Sequence, residues 1–185
     1  MRVVSGLWRG QKLYVPEGDH VRPTSERARA ALIDILHARY GGDWASIKFA
    51  DLCAGSGAVG IEMLSRGASF GIFVEHDPTA LTCLRKNLSR VPKEHYRILA
   101  HNAERLNAWQ HEGPFHIIFM DPPYKTGLGQ QLLTQIMAVE ALLTNDGLLV
   151  VELDGKETIT SVQSGWSVVM TRRYGRNQFV MLQKN

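Results

Sequence analysis

Past residue 47 the chain switches repeatedly between two hydrophobic rhythms. Lys48–Leu52, Phe70–Val74, His116–Met120 and Gly147–Leu153 are short, mostly apolar runs with turn residues between them, the pattern of strands buried on both faces, with Arg97–Ala100 a weaker case. Between them, Val59–Arg66, Pro78 to about Arg90, Glu104–Trp109 and Gln130–Leu143 read as helices. Gly67 closes the first, Pro78 opens the second and Pro92 lies beyond its end. Strands alternating with helices predict a parallel sheet covered on both faces. Near the end, Trp166–Tyr174 and Gln178–Gln183 read as strands joined only by Gly175-Arg176-Asn177, too short for a parallel crossover, so they pair antiparallel. At the start, Arg2 to Gly6 and Lys12–Val15 read as a hairpin. Thr24 stands where a helix N-cap belongs, ahead of Ala28, Ala31, Leu32, Ile35 and Leu36, and Gly41-Gly42 stops that helix. The expected product is an α/β fold with a mostly parallel seven-stranded sheet ending in an antiparallel hairpin, preceded by a small N-terminal β-hairpin and helix extension.

The 185 residues suit one domain, which at this size buries about 70% of its unfolded surface and needs neither disulfide nor metal to fold. Two cysteines without a CxxC pairing fit a reducing cytoplasm, and no apolar run approaches the roughly 20 residues of a membrane span. The net charge of +3 is uninformative until it is divided along the chain. Residues 1–29 hold six basic and three acidic side chains, residues 30–157 eleven and fifteen, and residues 158–185 four and none. Basic ends around an acidic middle point to a polyanion gripped by the termini.

The chemistry begins at the first apolar run. Gly55, Gly57 and Gly60 lie in GxGxxG register between a predicted strand and a predicted helix, where glycine permits a sharp turn and close ligand approach, and the helix N-terminus offers free N–H groups. Glu75 ends the next strand, placed to accept hydrogen bonds from both hydroxyls of a ribose. These two features suit NAD and S-adenosylmethionine equally.

The second motif separates them. Asp121-Pro122-Pro123-Tyr124 follows a strong strand, and so lies at the carboxyl edge where open α/β sheets bind ligands. Two prolines stiffen the turn and remove two donors, leaving the Asp121 carboxylate and the Pro122 carbonyl as acceptors for the two protons of an exocyclic amine, with Tyr124 as a stacking face for its ring. Holding both protons favours a pyramidal nitrogen whose lone pair is aimed at an electrophile.

With both motifs in place the chain resembles the class I S-adenosylmethionine-dependent methyltransferases that methylate amino groups. Within them it is similar to the bacterial 16S rRNA guanine-N2 methyltransferases, a resemblance carried by Trp8-Arg-Gly-Gln-Lys-Leu13, Arg22-Pro-Thr-Ser-Glu-Arg27 with Arg29, Asp51 through Glu62, Ser65 through Ala68, and Tyr174-Gly175. It implies a Rossmann-like fold and methyl transfer from S-adenosylmethionine to N2 of one guanine, guanine-966 of 16S rRNA, in the assembled or assembling 30S subunit. It further implies that Asp51, Ala54, Gly55, Ser56, Gly57, Glu75, Asn102, Ala103 and Asp121 bind the cofactor and that Asp121, Pro122 and Tyr124 form the catalytic loop. Arg9, Lys12, Arg22, Thr24, Arg27 and Tyr124 would contact RNA. Residues 1–23 would be an RNA-gripping extension and residues 24–185 the catalytic domain of a cytoplasmic monomer. The chain departs from the family at Asn102, where an acidic residue usually precedes Ala to hold the adenine amine; an amide oxygen accepts a hydrogen bond but carries no charge.

The seven histidines show no metal-ligand spacing, so no metal is expected. Arg172, Arg173 and Arg176 are candidate phosphate contacts because no acid lies nearby in sequence to neutralise them. Other acceptors for the same loop are N6 of adenine in DNA or RNA and N5 of a protein glutamine. An RNA-binding assembly factor with weakened catalysis is the reading from another class, and a dehydrogenase is remote because of the Asp-Pro-Pro-Tyr loop.

Overall fold

The computed structural model describes residues 1–16, 24–122 and 127–185. Its sheet is built from β1 (Lys48–Leu52), β2 (Phe70–Val74), β3 (Tyr96–Leu99), β4 (Phe115–Met120), β5 (Leu143–Asp154), β6 (Trp166–Tyr174) and β7 (Asn177–Lys184) in the order β3-β2-β1-β4-β5-β7-β6. The first five are parallel, and β7 runs antiparallel to both β5 and β6. The order reverses at β1 and β4, so loops after these two strands open a crevice at the carboxyl edge.

The alternation of side chains along the strands divides the core. Helices α1 (Glu26–Arg39), α2 (Ala58–Ser65) and α3 (Pro78–Asn87) cover one face, packing on Phe49, Phe73, Ile117, Val150 and Phe179. Helix α4 (Leu128–Met137) and a short 3-10 segment carrying Trp109 cover the other, on Leu52, Val74, Met120 and Val151.

Most expected elements form, and the differences have physical causes. Ser25, not Thr24, is the N-cap of α1, its hydroxyl accepting from Ala28 N at 3.1 Å. Thr24 is buried and donates instead to Glu152 Oε2 at 2.7 Å. The helix expected over Gln130–Leu143 starts at Leu128 and stops at Met137; the chain then turns so that the Leu142 carbonyl meets Phe115 N at 2.9 Å, and Leu143 already belongs to β5. Glu104–Trp109 forms 3-10 turns instead of an α-helix. The end hairpin closes on Gly175-Arg176 alone, with Tyr174 opposite Asn177.

The N-terminal segment pairs on itself through a single bridge, Arg2 to Lys12, and is stitched into the core instead of standing apart. Val3 and Leu13 are buried in the same cluster as α1 and α2. All eight residues of α2 are buried because residues 3–8 lie across it. Gly6 has φ +81° and approaches Ser65 so closely that a Cβ would sit 1.8 Å from its carbonyl oxygen, so only glycine fits there.

Candidate active site

The glycine loop leaves β1 through Cys53, which adopts φ +58°, a sparsely populated conformation for a non-glycine residue that costs about 1–3 kcal/mol. Gly57 follows with φ +76°; a Cβ there would meet Leu84 of α3 at 2.4 Å. The loop is tied at each step. Ala54 N donates to Val74 O at 3.1 Å, Gly57 N to Ala54 O at 2.7 Å, and Gly55 N to Glu75 Oε2 at 2.8 Å. Beneath it, buried Asn87 donates to the Ser56 carbonyl at 2.8 Å.

Glu75, 7% exposed, gathers three amides: Gly55 N on one oxygen and His76 N and Asp77 N on the other, at 2.7–2.8 Å. These bonds fix its carboxylate at the end of β2 beside the loop. Asp51 is 2% exposed and accepts from Gly60 N at 3.0 Å, so it braces the start of α2 from below and does not face the crevice. Burial pushes its carboxyl well above the ordinary range, the Gly60 N–H opposes that, and the charges of Glu75 and Glu152 add to it.

Asn102 and Ala103 lie beyond β3 as expected. Ala103 is buried, and its carbonyl accepts from Trp109 Nε1 at 2.9 Å. The Asn102 side chain turns onto Glu104, its oxygen accepting from Glu104 N at 3.0 Å and its Nδ2 donating to Glu104 Oε2 at 2.9 Å. Glu104 thus places beside Asn102 the carboxylate that position 102 lacks. Sequence reasoning passed over Glu104, although an Asn two residues before a Glu is the signature of a local side-chain turn.

Cys53 reports the field these groups create. Its thiol is pushed up to about 12, first by burial and then by the charges of Glu75, Asp121, Asp51 and Glu104. Carboxylates from the ends of β2 and β4 and from the segment after β3 therefore act on one half-buried position at the reversal of strand order, with buried Asp51 beneath it. Asp121 is half-buried there, its N–H donating to Leu52 O at 3.3 Å. Pro122 is buried and forms one wall of a cavity of about 220 Å³ that runs between α4, β5 and residues 157–160. Leu133, Val151 and Leu153 line its floor, and Gln130 and Glu157 lie at its polar rim.

Of the residues assigned to RNA, Arg9, Lys12 and Arg27 are exposed on or near the N-terminal segment. Thr24, also expected at the RNA, is instead buried against Glu152, and Arg29, which belongs to the segment that carries the resemblance, is wholly buried in an ion pair with Glu62. Arg22 and Tyr124 lie outside the described residues. Among the described residues no cluster of potential ligands could hold a metal ion, and no helix is long and apolar enough to cross a membrane.

A structure with this architecture has solved counterparts. An Escherichia coli chain superposes with a TM-score of 0.83 at 29% identity, over all of this chain and 98% of that one. A Thermus thermophilus chain does so with a TM-score of 0.79 at 31% identity, over 99% of each. A ribosomal protein L11 methylase of Lactobacillus delbrueckii, at 16% identity and a TM-score of 0.62, shares the Rossmann-like methyltransferase fold alone. In sequence, the chain is 30% identical over 184 residues to ribosomal RNA small subunit methyltransferase D of Escherichia coli K12, covering all of this chain and 90% of that protein. The family model for conserved hypothetical protein 95 matches residues 1–183. The chain therefore belongs to the conserved hypothetical protein 95 family, to which its relatives named ribosomal RNA small subunit methyltransferase D tie it along its whole length.

Proposed function

We propose that this chain transfers a methyl group from S-adenosylmethionine to the exocyclic N2 of a guanine in 16S rRNA, guanine-966, within the 30S subunit, and that it acts as a cytoplasmic monomer. The observation that carries the reading is the gathering of Glu75, Asp121 and Glu104 about Cys53 beside a glycine loop. A negative, partly desolvated crevice of this kind is complementary to a sulfonium cation and opposes a dinucleotide pyrophosphate, which separates the two cofactors that the glycine loop alone leaves open. The rRNA acceptor is supported by the name of the Escherichia coli relative.

The chain's residues fit the cofactor in kind. The peptides of Gly55, Ser56 and Gly57 form its cradle, Glu75 offers a fixed carboxylate for hydroxyl groups, and Asn102 with Glu104 offers acceptors for an amine. When bound, S-adenosylmethionine supplies an electrophilic methyl group and a neutral thioether leaving group. The protein's own work is on the acceptor. The Asp121 carboxylate and the Pro122 carbonyl hold the two amine protons, which frees the nitrogen lone pair, and Asp121 passes the surplus proton to water after transfer. Positioning of this sort supplies about 7–11 kcal/mol of a barrier.

The test offers labelled S-adenosylmethionine with 30S subunits lacking methylguanine, beside naked 16S rRNA, DNA and protein extract. Label at N2 of guanine in 16S rRNA is expected; label on DNA or protein alone overturns the reading. Asp121→Ala is expected to lose at least about a hundredfold in transfer while cofactor affinity stays within a few-fold. Near-normal turnover in that variant would refute the role of the loop.

A further inference from the structure

The register of the end hairpin has a consequence for the charge at the chain's C-terminal end. β5 runs parallel to β4, so Asp154 is at the carboxyl edge, and Asp154 pairs with Asn177, which pairs with Tyr174. The turn Gly175-Arg176 therefore stands on the same edge of the sheet as Cys53, Glu75 and Asp121. Arg172, Arg173 and Arg176 are all exposed and none has an ion-pair partner among the described residues. Among the described residues, Arg172 bonds to the carbonyl of Thr171 and Arg173 to that of Gly175.

The three side chains turn round a corner of the molecule. Arg172 is opposite Phe179, whose ring is in the core beneath α1, so Arg172 is on the α1 face, where Arg27 is exposed on the first helical turn. Arg173 is on the other face and lies over Gly155, where its guanidinium would be 2.7 Å from an added Cβ. The Arg176 carbonyl accepts from Gly155 N at 2.6 Å, at the start of the loop whose residues 157–160 line the cavity beside Pro122. Of the acids at this corner, Glu152 is turned inward and Asp154 and Glu157 are half-buried. Glu152 is 1% exposed and is held between Thr24, just ahead of α1, and Asn177, the first residue after the turn. Glu157 accepts from Asp154 N at 3.3 Å. One buried carboxylate thus fastens the start of the chain's first helix to the end hairpin, and brings the two basic ends of the sequence to one rim.

We propose that the tip of the end hairpin, Arg172, Arg173 and Arg176, is a phosphate-binding surface for the RNA acceptor, continuous with Arg27 and set on the side of the cavity away from the glycine loop. The inference rests on the reading of the acceptor as rRNA. Backbone phosphates held here, with those held at the N-terminal segment, place the RNA across the carboxyl edge with its target base over Pro122. Three arginines at a rim confer affinity and position, not sequence choice, so their effect is salt-dependent.

The experiment measures binding to 30S subunits lacking methylguanine as a function of salt, for the wild-type chain and three variants. Replacing Arg172, Arg173 and Arg176 together by Ala is expected to weaken binding tenfold or more, and to flatten the slope of log affinity against log salt by about two, near 0.7–0.9 per lost phosphate contact. Lys at the same three positions keeps the slope. Replacing exposed Arg85, Arg90 and Lys93 by Ala, an equal loss of charge elsewhere, leaves both within twofold. Unchanged affinity and slope in the hairpin variant, or an equal loss in the α3 control, overturns the inference. Either result leaves the proposed function intact if the wild-type chain still labels 16S rRNA; absence of that label overturns the function and not the surface.

Discussion

The two basic ends of this chain look alike in sequence and are used in opposite ways. The N-terminal end is built into the core. Arg29 and Glu62 are both fully buried and paired at 3.4 Å, and Glu62 also accepts from Val4 N at 2.9 Å and Ser5 N at 2.8 Å. Arg29 donates in addition to the Arg2 carbonyl. The C-terminal end keeps its arginines in water on an edge strand. A charge count weighs Arg29 and Arg173 equally, yet one is a structural rivet and the other is available to a partner. The difference lies in burial, which depends on which helix the N-terminal segment covers.

That comparison breaks most visibly on stability. Arg29→Ala removes the buried cation paired with Glu62 and leaves its charge only the longer contact with Arg66 at 3.9 Å, and is expected to destabilise the fold by about 3–5 kcal/mol. Arg173→Ala, at an exposed site, is expected to stay within about 0.5 kcal/mol. Urea unfolding of the two variants checks this; comparable losses would show that the ends are not distinguished by burial. Replacing Arg29 and Glu62 together by apolar residues does not restore stability, because the Val4 and Ser5 N–H groups then lose their acceptor.

A second, smaller effect lies at Asn87, 1% exposed, where the N-terminal segment meets the glycine loop. Its oxygen accepts from Tyr14 N, and its Nδ2 donates to Tyr14 O and Ser56 O, each at 2.8 Å. Asn87→Leu strands one donor and two acceptors and is expected to cost about 1–3 kcal/mol. It also frees Ser56, so S-adenosylmethionine affinity is expected to fall more than in Arg29→Ala at a denaturant-matched stability. Titration calorimetry on both variants measures this; equal cofactor affinity would confine Asn87 to folding.

Legibility in the sequence followed the same division. β1 and β2 form over the expected residues because short, mostly apolar runs of this length have one good solution as buried strands, and β6, which is mostly exposed, is set by the turn at Gly175. The end of α4 is less legible, because Val139, Leu142 and Leu143 fit helical spacing and pack just as well from a turn and a strand. At the site, the glycine loop and Glu75 are positioned by local backbone geometry and could be read directly. Asp51 could not: its place beneath Gly60 depends on which face of β1 meets α2. The burial of Thr24, expected to contact RNA, and of Arg29 could not be read for a related reason. Their partners, Glu152 and Glu62, are 128 and 33 residues away.

Glu152 is where the two ends can be told apart most finely, since it holds one end in each oxygen. Burial raises its carboxyl above the ordinary range, against the hydrogen bonds from Thr24 and Asn177. A carboxyl raised by folding binds its proton more tightly in the native state. Its contribution to stability is therefore full below its unfolded value of about 4.3 and declines as pH rises through the folded one. Glu152→Gln removes the ionisation and keeps an oxygen for Asn177 and an amide group for Thr24. The variant should gain on the wild-type chain as pH is raised from about 4 toward neutrality, with the two curves parallel below that range. Unfolding midpoints across the pH range measure the gap. A variant that instead loses stability relative to the wild-type chain as pH rises would show that the ionised carboxylate stabilises this joint, and that the two ends are held together by charge and not by neutral hydrogen bonds alone.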